Sequence, residues 1–407
     1  MKSNKNFVFL MVGQSFANIG DVLYIVSIIS VVYNLTGSAT TVAFIPFAIT
    51  TAMFVSSILT PILIVKINLK YLILGSQVGK TFILLGLGLF LMPNLNGTNF
   101  YLVFPFIIGI SLLDGCANPL RQTMIPYYVR SEELLRANGI AETSTQIIQV
   151  TVWFLGSTLL IFLSANQLIL LVAVLFSVAS IMLSLLEKVE HIQDKGKSMW
   201  EHLTKGWKTI NTTPVLRTVT RIQFLELIAD TVWISAIMYV FVDQALQVNE
   251  TWWGYINGSF FVGVVIGSIY CIRYSTFIEK NLNYFIILST FSSFIILLGF
   301  SLNSLPMVAL LLSAFIGISG QLESIPTQTI IQNSVPKENL ATVYTSLGTI
   351  ATGTFGIAAL IMGILADLVG IRSVFLIASS LLLLVSFIAF KNKHLFVMNT
   401  MKISEKE

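Results

Sequence analysis

Twelve times along this chain, a stretch of about twenty residues passes with almost nothing but apolar side chains. A helix that crosses a bilayer needs roughly 20 mostly apolar residues, because each residue rises about 1.5 Å. The runs lie at roughly 7–33, 40–65, 71–92, 100–128, 137–163, 166–186, 216–243, 252–275, 283–303, 306–334, 340–368 and 371–390. The chain of 407 residues is 55% hydrophobic and only 10% charged, with mean hydropathy +0.85. A soluble domain carries about 25% charged residues, and one with so few could not cover its surface. The expected fold class is therefore an all-α membrane protein. The first run has Asp21 at its middle and no small-residue cleavage pattern after it, so it reads as a spanning helix and not a signal peptide.

Charge placement predicts an orientation. The connections 34–40, 93–99, 164–167, 243–251 and 302–305 contain no Lys or Arg. The alternate connections carry Lys66, Lys70, Arg130, Arg136, Arg273, Lys280 and Lys337, and Lys2, Lys5, Lys391, Lys393, Lys402 and Lys406 mark the two termini. Under the positive-inside rule both termini are cytoplasmic and the protein is a multi-pass plasma (inner) membrane protein. Arg372 is the one cation expected outside. The net charge of +4 gives no argument for a nucleic-acid partner. Cys116 and Cys271 sit in apolar runs of opposite halves, so no disulfide framework is expected. His191, His202 and His394 lack ligand spacing, so neither metal nor cofactor is expected. The polar stretch 187–215 holds Trp200, Leu203, Trp207 and Ile210 on one helical face, which predicts an amphipathic helix on the inner membrane surface or a plain linker.

The two halves repeat each other. Gln14 and Asp21 recur as Gln223 and Asp230, both displaced by 209 positions. Gln122, Thr123, Val129, Glu132 and Leu134 recur as Gln328, Thr329, Val335, Glu338 and Leu340, displaced by 206. Half-chain duplication of six helices is the pattern of two parallel halves around a central pathway. The expected domains are an N-terminal bundle at 1–186, the linker at 187–215, a C-terminal bundle at 216–391 and a tail at 392–407.

With these residues the chain resembles the macrolide-efflux branch of the major facilitator superfamily. The similarity runs through Gly13-Gln14 to Asp21, Leu35-Thr36-Gly37-Ser38-Ala39, Asn118-Pro119 to Leu135, Ala137-Asn138-Gly139, and Gly363-Ile364-Leu365-Ala366-Asp367-Leu368-Val369-Gly370. The resemblance implies two pseudo-symmetric six-helix bundles, alternating access, and proton-coupled export of amphipathic compounds, antibiotics among them. Two features depart from that family. The charged cluster usual between helices 2 and 3 is here Lys66-Ile67-Asn68-Leu69-Lys70, without a carboxylate, and Ile110 stands near where many drug antiporters carry an arginine. Lysophospholipid flippases show a similar layout around Ala137-Asn138-Gly139-Ile140-Ala141-Glu142.

Six carboxylates fall inside the spans: Asp21, Asp114, Glu142, Glu226, Asp230 and Glu323. An ionisable group in hydrocarbon costs several kcal/mol, so such groups face the bundle interior and serve function. Five of the six lie in helices 1, 4, 7 and 10, which line the central cavity in the fold the chain resembles. Asp21 and Asp230 are expected at the core of a proton and substrate site, with Asp114 and Glu323 shaping its field. Glu226 stands one helical turn from Asp230 and can pair with it. Glu142, near the cytoplasmic end, reads as a structural brace, and Lys80 as a counter-charge to one of the acids. Phe16, Tyr24, Phe224, Trp233 and Tyr239 offer an apolar wall near the acids, or simply pack. Pro119 and Pro326 are expected to kink helices 4 and 10. Glycines in helix 8 (Gly254, Gly258, Gly263, Gly267) are expected to let helices approach closely.

Gly75-Ser76-Gln77-Val78-Gly79-Lys80-Thr81 imitates a phosphate-binding loop but has three residues between its glycines where four are needed. With no other ATP-binding candidate, the energy source is expected to be an ion gradient. The expected protein is a monomeric secondary transporter whose partners are a small-molecule substrate, protons and the lipid bilayer. A lysophospholipid, siderophore or peptide-antibiotic transporter is the alternative, and an anionic substrate would find only Lys80 and Arg121 as fixed cations. An enzyme lacks a catalytic cluster here, and a sensor lacks a soluble domain.

Overall fold

The computed structural model describes residues 5–36, 39–91, 94–189, 199–233, 235–249 and 251–397. The basic residues Lys2, Lys402 and Lys406 lie outside these. Among the described residues there are helices and turns and no strand.

The helices follow the apolar runs closely. They are α1 Lys5–Thr36, α2 Ala39–Lys66, α3 Leu69–Gly86, α4 Val103–Tyr128, α5 Leu134–Phe162 and α6 Ala165–Ser184, then α7 Met199–Thr212, α8 Pro214–Ala229 and α9 Ser235–Val240. After these come α10 Thr251–Arg273, α11 Ser275–Lys280, α12 Leu282–Leu302, α13 Pro306–Asn333, α14 Lys337–Val369 and α15 Ile371–Lys391. Among the described residues, ten helical stretches are long and apolar enough to cross a membrane. Local chemistry sets several ends. Asn68 caps α3 by accepting from the Lys70 N–H, and Ser164 with Gln167 forms a capping box at the start of α6. The turn between α14 and α15 is the single residue Gly370 at φ +84°, a left-handed conformation that suits glycine alone without strain.

The seventh run differs from the expectation of one helix. It is broken at Asp230: α8 stops at Ala229, residues Asp230–Trp233 tighten into a 3-10 turn, and α9 resumes at Ser235. The Thr231 hydroxyl donates to Ile228 O at 2.6 Å, taking the carbonyl that an α-helix would offer to Val232. The repeat-related Asp21 sits in an unbroken α1. Pro119 and Pro326 lie inside α4 and α13, which both continue past them.

The chain forms two compact units. Unit one is 1–130, 144–208 and 336–352, and unit two is 131–143, 209–335 and 353–407. The helices α5 and α14 thus each belong partly to one unit and partly to the other. In unit one the core gathers Leu23, Tyr24, Leu84, Ile107 and Phe176. The amphipathic helix α7 forms where the linker was expected, and there a Cβ on Gly206 would collide with the Thr342 carbonyl of α14. The side chains of Trp200 and Leu203 lie outside the described ones, while Trp207 is exposed. In unit two Phe241, Phe300 and Phe375 stack at the centre, with Phe241 and Phe375 centroids 4.6 Å apart. There α10 and α13 meet backbone to backbone: a Cβ on Gly263 would strike Ala314 O, and one on Gly317 would strike Phe260 O.

Candidate proton and substrate site

In unit one, three helices bring their buried charges to one point. Lys80 of α3 is fully buried, and its Nζ donates to Asp21 Oδ1 of α1 and, at 2.6 Å, to Asp114 Oδ1 of α4. The ring of Phe176 in α6 covers the ammonium, its centroid 4.6 Å from Nζ. The lysine side chain is 1% accessible, against 22% for Asp21 and 13% for Asp114, so the cation is sealed while both carboxylates keep an open edge. The lysine expected to neutralise one acid therefore serves two. Beside this triad, buried Arg121 donates from Nη1 to Asn18 Oδ1 at 3.2 Å, and Asn18 Nδ2 reaches Thr145 Oγ1 at 3.5 Å.

Unit two holds Glu226, Asp230 and Glu323, on helices α8 and α13 and the turn after α8, none of which carries a lysine. The carboxyl groups of half-buried Glu226 on α8 and buried Glu323 on α13 are neighbours. Asp230 stands one turn beyond Glu226, exposed at the helix break. The structure therefore brings Glu226 beside Glu323, a neighbour that the spacing in helix 7 alone does not reveal. The cations of the elements packed around these acids lie at helix ends, except exposed Arg221 in the middle of α8. They are Arg217 and Arg221 on α8, Arg273 on α10, and Arg372 and Lys391 on α15.

The aromatics divide. Tyr24 is buried in the core of unit one. Trp233 packs inward on Phe300 and Phe260, centroids 5.0 and 6.2 Å away. Phe16 is half-buried and Phe224 exposed, while the side chain of Tyr239 lies outside the described ones. Glu142 is half-buried in α5 and engaged by neighbours. Pro119 is half-buried and Pro326 buried. Cys116 and Cys271 are both free and buried. Sequence reasoning missed the role of Phe176, which one phenylalanine among 29 does not advertise. It also missed a buried amide pair in unit two. Asn138 Nδ2 donates to Gln332 Oε1 at 2.7 Å and to Thr329 Oγ1 at 3.1 Å, and Gln332 Nε2 returns a bond to Asn138 Oδ1 at 3.1 Å.

A family model described as Major Facilitator Superfamily matches residues 8–349 and 222–394. The chain is 26% identical over 355 residues to the uncharacterised MFS-type transporter YfmI of Bacillus subtilis (strain 168), covering 85% of this chain and 86% of that one. It is 28% identical over 340 residues to YjbB of the same organism, an uncharacterised MFS-type transporter, covering 82% of each. The fold is similar to that of the human organic anion transporter MFSD10, with TM-score 0.77 and 9% identity, across 96% of this chain and 100% of the other. It is also similar to a bacterial homologue of the iron transporter ferroportin in its outward-facing state, with TM-score 0.76 and 13% identity, across 95% and 98%. The Escherichia coli fucose:proton symporter FucP gives 0.73 and 14%, across 96% and 99%. By the family match along nearly its whole length and by this all-helical fold, the chain belongs to the major facilitator superfamily of multi-pass membrane transporters.

Proposed function

We propose that the protein is a proton-coupled exporter of amphipathic, cationic or neutral compounds, drugs among them, working by alternating access as a monomer in the plasma membrane with both termini cytoplasmic. Asp21 and Asp230 form the core of its proton and substrate site, and Asp114, Glu226 and Glu323 set the field around them. The observation that carries this reading is the excess of interior carboxyl groups over free cations. Five acids stand at mid-span positions, and the two cations within reach are engaged, Lys80 by Asp21 and Asp114 and Arg121 by Asn18. Such a set attracts cations and binds protons that a cation can displace, whereas an anionic substrate would meet no unengaged positive partner among these groups. One proton moving through 100 mV releases about 2.3 kcal/mol, enough to sustain a concentration ratio of several tens.

The test is proton release from purified, detergent-solubilised protein as macrolides, cationic dyes and lysolipids are titrated in. Release is expected with one compound class and is expected to disappear in Asp21→Asn and in Asp230→Asn. Measurable binding without release for every class would remove proton coupling from the reading, and unchanged release in both variants would move the site elsewhere.

A further inference from the structure

Where α6 of unit one ends, the chain segment 185–189 is held from three other elements. Asn6 of α1 donates from Nδ2 to Glu187 Oε2 at 2.9 Å and accepts from the Glu187 N–H at 3.1 Å. Tyr128 at the end of α4 donates its hydroxyl to Glu187 O at 2.9 Å. Asn68, in the turn between α2 and α3, donates from Nδ2 to Val189 O at 2.7 Å. The backbone is therefore fixed on both sides of Lys188, which is placed beside the start of α3. There its Nζ stands 5.2 Å from the centroid of the Tyr71 ring, and Lys70 Nζ stands 5.9 Å from the same ring.

The ring attracts each ammonium, but the two ammonium groups repel each other, and an anion between them would relieve that repulsion. The connection between α2 and α3 supplies none, since Lys66-Ile67-Asn68-Leu69-Lys70 has no carboxylate. Glu187 is the acid of the anchored segment, and its carboxylate is taken by Asn6. Among the described residues neither Lys70 nor Lys188 is in an ion pair. Lys66 and Lys188 are exposed, Lys70 is half-buried and Tyr71 is 45% exposed, so the group is open to a ligand from outside. Two ammonium groups and a phenol hydroxyl are donors that suit a phosphate. The surface next to them is apolar. Phe82 lies about three turns along α3 from Tyr71, on the same face, and is exposed. On α6, which packs against α3, Ile181 and Leu185 are exposed one turn apart and lead toward Lys188.

We propose that Lys70, Tyr71 and Lys188 form a binding site for the phosphate of an anionic phospholipid, whose acyl chains lie along the outer faces of α3 and α6. A free phosphate would use the same donors but leave the apolar surface unused. A zwitterionic lipid would bring its own cation against the two lysines, whereas an anionic one adds only negative charge. The site is separate from the Asp21–Lys80–Asp114 triad, whose lysine is sealed, and it stands whatever compound the protein carries.

Binding of dioleoylphosphatidylglycerol to purified full-length protein in detergent, followed by native mass spectrometry, tests the site. Dioleoylphosphatidylcholine is the zwitterionic comparison, and inorganic phosphate is the competitor without chains. Wild type is expected to bind phosphatidylglycerol several-fold more tightly than phosphatidylcholine. Lys70→Gln combined with Lys188→Gln is expected to weaken phosphatidylglycerol binding by about tenfold or more. Lys70→Arg combined with Lys188→Arg keeps both charges and is expected to retain it, which separates loss of charge from loss of fold. Lys280→Gln, at the exposed end of α11, is expected to leave the affinity at its wild-type value. Equal affinity of wild type for the two lipids, or an unchanged affinity in the glutamine pair, would overturn the proposal. So would an equal loss in Lys280→Gln, which would reduce the effect to overall positive charge. Displacement of the lipid by inorganic phosphate at matching concentration would leave a free anion as the ligand and overturn the lipid assignment.

Discussion

At the residue scale the molecule turns on Lys80. A buried ion pair contributes little net stability when compared with an apolar replacement of the whole group, but removing one partner is costly because it strands the others. Lys80→Met would leave Asp21 and Asp114 facing each other without the ammonium, beneath the ring of Phe176. A loss of about 3–5 kcal/mol is expected. It is checked by thermal unfolding in detergent, with most of the loss recovered when Asp21→Asn and Asp114→Asn are added to Lys80→Met. Failure of the two amides to restore stability would mean that Lys80 serves packing and not charge. The presence of this interaction was half legible in the sequence. A lysine inside an apolar run must find an acid, and the sequence offers several. Which acid was not legible, because Asp21 and Asp114 approach Lys80 only through the packing of α1, α3 and α4, a relation that no local spacing encodes. The proximity of Glu226 to Glu323 was hidden for the same reason.

At the element scale the glycines of α10 show how far a pattern carries. Gly254, Gly258, Gly263 and Gly267 look alike as a stripe of small residues. The structure separates them. A Cβ at Gly254 or Gly258 would meet nothing within 4 Å, while one at Gly263 would run into the Ala314 carbonyl and one at Gly267 would lie 2.9 Å from Ile318 O. Two helices at that approach have no flexible side chain to move aside. Gly263→Val is therefore expected to push α10 from α13 and to cut the yield of monodisperse protein several-fold, whereas Gly254→Ala and Gly258→Ala are expected to match wild type. Size-exclusion profiles of the three variants decide it; equal profiles would refute the close-packing account. Helix boundaries were legible here because hydropathy fixes them. The break at Asp230 was not, since the run stays apolar across it and the Thr231 hydroxyl bond to Ile228 O is of a kind that α12 and α15 carry without breaking.

At the scale of the whole molecule, the class of fold was legible because lipid leaves so few solutions: long apolar runs become helices, and their number and duplication follow from counting. The orientation proposed for them rests on charge alone, and Arg372 is the cation that opposes it. The structure gives that arginine an occupation. Its Nη1 donates to Ser301 O at 2.8 Å, and its Nη2 to Ala245 O at 3.0 Å and to Ser304 Oγ at 2.8 Å. Carbonyls at the end of a helix lack partners within the helix, and a guanidinium that satisfies them is a cap. Arg372 is then held by local bonds that any orientation would keep, while the lysines and arginines of the other connections remain to set the bias. The expected outcome follows for single cysteines placed in a background in which Cys116 and Cys271 have been replaced by alanine. Thr98→Cys, exposed in a connection without lysine or arginine, should react with a membrane-impermeant thiol reagent on intact cells. Lys280→Cys, exposed at the end of α11, should react only after permeabilisation. The reverse pattern would turn the molecule over. Both termini would then lie outside, and the lysine- and arginine-bearing connections would sit against the charge rule that proposed their side.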